Sequence, residues 1–231
     1  MGAAYELFKV GPANKSMPDW WKKIPPTFTV QNQFGLNLDK ATMKSCIGLT
    51  ELYKQGITIP LWSELVIETS ADGGMKYQWA LDQSSDIVSH SAVQMGNNFD
   101  DMIHLKLQSP WLFNEKTGVN FVWSEPSWNL LPTKSNIRVL PGVTNYKYQS
   151  DTNINIFMPR TNNRVELEAG LPLVHLVPIS DKNVEIVHHL IDKPEFIKMS
   201  NRIGSFKFRN SFRTMLKMKE DEPSKCPFGF K

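Results

Sequence analysis

Five histidines and two cysteines are the residues of this 231-residue chain best suited to metal or nucleophilic chemistry, and their spacing argues for neither. A two-His, one-carboxylate iron site needs His-x-Asp or His-x-Glu plus a distant third ligand. His90, His104, His175, His188 and His189 are followed two positions on by Ala92, Lys106, Val177, Leu190 and Ile191, none of them a carboxylate. His188 and His189 are neighbours, and neighbours on a strand point to opposite faces, which makes a poor chelating pair. They are expected to be structural or to face solvent. His175 lies in the most apolar stretch and is expected as a core histidine bonded to a backbone carbonyl. Cys46 and Cys226 are too far apart in sequence, and too few, for a disulfide framework or a zinc site. Cys46 is expected on the apolar stripe of a helix, with no basic neighbour to activate it. There is no Gly-x-Ser-x-Gly elbow and no phosphate-cradling glycine loop, since Gly73-Gly74 reads as a hairpin turn. Acidic pairs such as Asp100-Asp101 lie in polar loops. No catalytic residue, no metal ligand and no cofactor is expected, and the chain reads as a non-enzyme.

Binding residues are easier to nominate. Trp20 and Trp21 sit between Pro18 and Pro25-Pro26, which deny that stretch more than one turn of regular structure. They read first as pins that hold an arm to the surface and second as an anchor for a partner, because tryptophan is enriched at interface hot spots. Between Lys193 and Lys219 there are eight basic residues and one acid, while the rest of the chain is net acidic. Phe206, Phe208 and Phe212 alternate there with Lys207, Arg209 and Arg213. That pattern suits stacking on nucleic-acid bases, but docking on an acidic neighbouring subunit or packing on the body is preferred. The partner-binding candidates are therefore Trp20, Trp21, Arg202, Lys207, Arg209 and Arg213. A second set would serve a small ligand held in the mouth of a sandwich: Trp62, Trp79, Trp111 and Trp123, with Trp128, to stack on a base, and Arg138 and Arg160, with Arg164, to meet phosphate.

These residues need a scaffold, and the hydrophobic pattern predicts a mainly β one. Leu171–Ile179 is a near-continuous apolar run between Gly170 and Pro178, expected as a central strand buried on both faces. Ile57–Thr69 is expected as one long strand, and Asp72-Gly73-Gly74 as the turn leading to its partner, Met75–Leu81. Further strands are expected at Ile103–Leu107, Val119–Trp123, Ile137–Leu140, Ile154–Met158, Val165–Glu168 and Glu185–Ile191, with 82–101 as loop. Turn signals between short strands every ~10 residues argue an antiparallel β-sandwich or jelly-roll-like body. One helix is expected over Asp39–Gln55, with Asp39 as N-cap and Gly56 as a left-handed C-terminal cap. Pro194 is expected to open a helical C-terminal segment, in two short pieces. The division is a β-domain with an N-terminal arm, 1–192, and a basic helical extension, 193–231. The start lacks a signal-peptide pattern. No apolar run approaches the ~18 residues of a membrane span, so no membrane partner is expected.

Four stretches resemble an uncharacterised family of tailed-bacteriophage proteins of the cyanophage type. They are Pro18-Asp19-Trp20-Trp21-Lys22; Thr42–Cys46 running through Gly56–Trp62; Leu105–Trp111; and Gly170–Ile179. The pattern reaches from about residue 17 to 180, and departs from the family at Ser109 and at His175, where glutamine is usual. The resemblance implies a phage origin and a β-rich fold. The expected role is a virion structural or assembly component acting by protein–protein contact (capsid decoration, neck or tail-associated), in the virion or the host cytoplasm, with other virion subunits or copies of itself as partners. The alternative is an infection-expressed protein that sequesters a small molecule such as a nucleotide signal.

Overall fold

The computed structural model describes residues 9–81, 86–96, 98–126, 136–204 and 217. In chain order its strands are β1 Gly11–Pro12, β2 Thr27–Gln31, β3 Asn37–Ala41, β4 Ile57–Pro60, β5 Leu65–Thr69, β6 Met75–Trp79, β7 Ile87–His90, β8 Met102–Leu112, β9 Asn120–Ser124, β10 Arg138–Val139, β11 Gly142–Asn145, β12 Asp151–Pro159, β13 Asn163–Leu167 and β14 Pro172–Pro178. The α-helices whose bounds lie within the described residues are α1 Asp19–Lys23, α2 Ile47–Gln55 and α3 Lys193–Gly204.

Every strand pairing among the described residues is antiparallel, and the fold is mainly β. A five-stranded sheet has the order β1-β4-β14-β9-β11, a four-stranded sheet β10-β12-β8-β7, and a three-stranded sheet β13-β5-β6; β2 and β3 pair only with each other. The three larger sheets contribute to one apolar core. Ile57, Ile59, Phe121 and Leu176 come from the first, Ile103, Leu105, Leu107, Ile154, Ile156 and Met158 from the second, and Leu65, Ile67, Trp79, Val165 and Leu167 from the third. The second set shows period-2 alternation: Ile103, Leu105 and Leu107 are buried while His104, Lys106 and Gln108 face out.

β14 is the central strand of its sheet, as the sequence predicts. It pairs with β4 on one side (His175 opposite Thr58) and β9 on the other (Val177 opposite Val122). Its outer face is covered at His175 by α2, whose Tyr53 ring stacks on the imidazole with centroids 4.9 Å apart and planes at 25°. Tyr53 also joins Ala13, Met17 and Trp21 in a small second cluster, with Leu49 against it.

The expected helix over Asp39–Gln55 is shorter and starts later. Asp39 lies in β3, where its carboxylate accepts a hydrogen bond from Thr29 Oγ1 at 2.6 Å across the pair. Thr42 caps a short 3-10 turn at Met43–Ser45, and the α-helix begins only at Ile47. Cys46, outside the helix, is therefore exposed rather than core. Gly56 does not close α2 in the left-handed region; it is extended (φ −79°, ψ 161°) because it feeds directly into β4. The long strand Ile57–Thr69 is two strands, broken after Pro60. There Leu61 exchanges backbone hydrogen bonds with Gly170 and Leu171, and Trp62 turns into the core. The hairpin of β5 and β6 stands as expected, with Leu65 opposite Trp79 and Gly73 at φ +81° in its turn. The stretch read as loop contains β7 and a 3-10 turn, Ala92–Met95. Glu185–Ile191 forms no strand: it runs as an extended strap, attached by Ile186 on the core and by His188 Nε2, 2.8 Å from the Val10 carbonyl. Pro194 lies in the first turn of α3 as expected, behind Asp192, whose carboxylate accepts the Glu195 N–H at 2.8 Å. Of the second helical piece only Lys217 is described, and it is helical; the rest of that piece and Trp128 fall outside the described residues.

Gly56 has a packing role instead of a cap role. A Cβ there would lie 1.9 Å from His175 Nε2 and 2.9 Å from the Leu52 carbonyl oxygen. Gly56→Ala is expected to destabilise the fold by ~1–3 kcal/mol through overpacking, read by denaturant unfolding. Pairing it with His175→Ala should give a double variant less destabilised than the sum of the two, because the clash has been removed. Strict additivity would show that Gly56 and His175 are not in contact.

Candidate functional site

The prominent surface feature is the β2–β3 hairpin. Its register sets Phe28 opposite Lys40 and Val30 opposite Leu38, so these four share one face, and Leu36 extends the same row. Thr27, Thr29, Gln31, Asn37, Asp39 and Ala41 make the other face, which has no large apolar side chain. The tip is built rather than slack. Asn32 Oδ1 accepts the N–H groups of Phe34 and Leu36, each at 2.9 Å, Gln31 Nε2 donates to the Gly35 carbonyl at 3.0 Å, and Gly35 takes φ +77°. The base is clamped as well: Thr42 Oγ1 donates to the Pro25 carbonyl at 2.7 Å, and Ser45 Oγ to the Pro26 carbonyl at 2.9 Å. Despite this order, Phe28 is 47% exposed, Leu38 44%, Leu36 61% and Phe34 76%. An amphipathic hairpin normally lays its apolar face on something; this one faces solvent.

Trp20 and Trp21 stand at the foot of the hairpin on α1. Trp21 is buried in the second cluster and pins the arm to the body. Trp20 packs edge-on against it at 5.9 Å and is 36% exposed. Arg202 lies on α3, and Lys207, Arg209 and Arg213 fall outside the described residues.

The second candidate is a cavity of about 550 Å³ between the strap and the body. Trp111, Phe113, Phe121 and Tyr146 supply its aromatic walls, and Phe113 stacks on Tyr146 at 4.4 Å. Tyr146 is fixed through its hydroxyl, 2.7 Å from Thr152 Oγ1, and burial holds that phenol well above its ordinary range. Of the nominated ligand residues that the structure describes, only Trp111 lines this cavity. Trp62 and Trp79 stack on each other at 5.4 Å inside the core. Trp123 is half-buried, with its indole in the space a Cβ at Gly142 would need. Arg138 is on the exposed face of the four-stranded sheet, opposite Phe157. Arg160 lies along Gly73 of the distant hairpin turn, and Arg164 is engaged by Glu68 and Glu166. No arginine is among the described residues that line the cavity.

His90, His104 and His175 take two different settings. His90 and His104 are a cross-strand pair stacked at 4.5 Å; His90 Nδ1 meets Gln94 Oε1 at 2.7 Å and His104 Nε2 meets Asn155 Oδ1 at 3.1 Å. His175 is in the core as expected. Its Nε2 shares a pocket with the Leu52 carbonyl without reaching hydrogen-bond geometry. Among the described residues no three His, Cys, Asp or Glu side chains gather as metal ligands.

The hairpin was missed by the sequence reading although a period-2 signal was present: Phe28, Val30 and Leu36, Leu38 alternate with polar residues on either side of Asn32–Gly35. Reading Asp39 as a helix cap hid it. No protein-family model matches the chain, and no curated protein matches it either.

Burial lowers the pKa of both His175 and His104, and for His104 the neighbouring His90 adds to the effect. The folded state therefore refuses protons that the unfolded chain binds near pH 6.5. Stability from these groups is complete above that pH and is lost as the pH falls below it toward the folded pKa values. The thermal midpoint should drop between pH 7.5 and pH 5.5, and His104→Gln should flatten that drop. A midpoint independent of pH across this window would refute the assignment.

Proposed function

We propose that this chain is a non-enzymatic bacteriophage virion component, capsid-decorating, neck or tail-associated, that works by protein–protein contact. The observation that carries this reading is the ordered hairpin Thr27–Ala41 with its apolar face in solvent. A lone two-stranded hairpin is marginal in water, and apolar residues aligned on one exposed face mark an interaction site. Trp20 stands at its foot, within a stretch that carries the resemblance to phage proteins. The basic segment from Lys193 on is a further contact for an acidic neighbour.

The aromatic cavity favours one other reading, sequestration of a small ligand during infection. Its walls suit a flat, apolar molecule better than a phosphate-rich one, since the described lining holds four aromatic rings and two carboxylates, Glu115 and Glu185, against one lysine, Lys9. A thermal shift with nucleotides or with apolar aromatics would support that reading.

The deciding experiment is quantitative mass spectrometry of purified particles, with the intact gene and with Thr27–Ala41 replaced by a short glycine-serine turn. A fixed copy number that the replacement abolishes, with the variant still folded by its thermal melt, is the expected result. Abundance in infected cells with none in the particle would overturn the virion reading.

A further inference from the structure

The hairpin needs a surface to cover it, and the same chain carries one. The outer face of the five-stranded sheet is divided in two. Over β4 and β14 it is closed by α2, through Tyr53 on His175. Over β9 and β11 no element among the described residues covers it. There Val143 is opposite Val122, Val122 is opposite Val177, and Ile179 continues the row, held by its N–H on the Asn120 carbonyl at 2.8 Å. Val143 is 64% exposed, Ile179 61% and Val122 38%. The other outward residues of this half are Asn120, joined to Asn145 by a side-chain hydrogen bond of 2.8 Å, and Ser124. No charged residue stands in these outward positions. The hairpin's apolar face has one charge, Lys40, at its base. Depletion of charge is the mark of an interface centre.

We infer that the apolar face of the β2–β3 hairpin of one copy packs on the Val122–Val143–Val177–Ile179 patch of a second copy of this chain. Within one molecule both faces are exposed, so neither serves the other. Their dimensions agree. Five paired residues span ~15 Å, and three strands ~10 Å across, which is the width a two-stranded ribbon covers. β11 is moreover the edge of its sheet, and among the described residues no strand flanks the patch on that side. One such contact is small beside the ~800 Å² per partner of a stable interface. The arrangement that satisfies this is closed: each copy gives a hairpin and receives one, as a two-fold dimer or a ring. The built tip lowers the ordering cost of docking. This inference rests on the protein–protein reading above and names its partner.

The test uses the full chain and two variants at exposed positions: Phe28→Ser/Leu38→Ser in the hairpin and Val143→Lys in the patch. Sedimentation equilibrium measures self-association, and thermal melts check that each variant is folded. The wild type should self-associate, and each variant should do so about 100-fold more weakly, as expected for losing two buried side chains or burying a lysine. Mixing the two variants should give a heterodimer tighter than either variant alone but weaker than the wild type, because one of its two contacts joins an intact hairpin to an intact patch. A monomeric wild type or an unaffected patch variant would each overturn the inference. A hairpin variant that self-associates normally yet is lost from particles would overturn it while leaving the virion reading in place.

Discussion

The covering of β14 on both faces is the constraint on which the rest of the molecule depends. Its inward residues Leu176 and Leu173 must meet the core, and its outward His175 must be shielded by something flat. Tyr53 provides that, at stacking distance, and can do so only because Gly56 puts no carbon where the imidazole sits. The position of α2 follows, and with it the second cluster around Trp21. Trp21 fixes α1, and α1 leads through Pro25-Pro26 into the foot of the hairpin. A buried histidine in the central strand is thus linked by packing to the orientation of the most exposed apolar element. The link is structural: each step is a contact between rigid pieces, with little room to relax in a close-packed interior.

The distribution of aromatic residues follows from the same economy of space. Three sheets contribute to one core, and large rings pack together inside it, with Trp62 stacked on Trp79 and Phe121 tilted on Tyr146. Trp62 and Trp79, which look like part of a ligand cage in the sequence, are core residues. The arginines are dispersed among a sheet face, a hairpin turn and a cross-strand ion-pair group. Long charged side chains keep their heads in water wherever the strand pattern turns them outward.

How much of this was legible in the sequence varied with the kind of signal. The central strand, the Asp72-Gly73-Gly74 hairpin and the antiparallel β class could be read directly, because bounded apolar runs and turn residues are local. His175 was legible as a core residue but not in its unmet Nε2, which depends on where α2 comes to rest. The start of α2 was misplaced because Asp39 has the chemistry of a cap and equally that of a cross-strand acceptor for Thr29, and only the pairing decides. Ile57–Thr69 looked continuous because a change of sheet at Leu61 leaves no mark in an apolar pattern. Glu185–Ile191 had strand composition, yet a strand also needs a free edge to pair with, and composition does not supply one. The nominated ligand set failed to converge for a related reason: convergence is a property of topology.

The hairpin shows why an exposed apolar surface here is not merely surplus hydrophobicity. Scattered apolar residues on a surface need no explanation. In β2 and β3 they are sorted: one face has Phe28, Val30, Leu36 and Leu38, and the other carries a Thr29–Asp39 hydrogen bond and amides. Sorting of that kind is what a sequence acquires when one face is buried and the other wetted, and a one-residue slip of register would destroy it. The clamp at Thr42 and the Asn32 turn hold the register from both ends. A segment held so firmly, yet packed on so little of its own chain, has its apolar face ordered in advance of a partner. The half of the five-stranded sheet that α2 leaves open is the surface of matching chemistry in the same molecule.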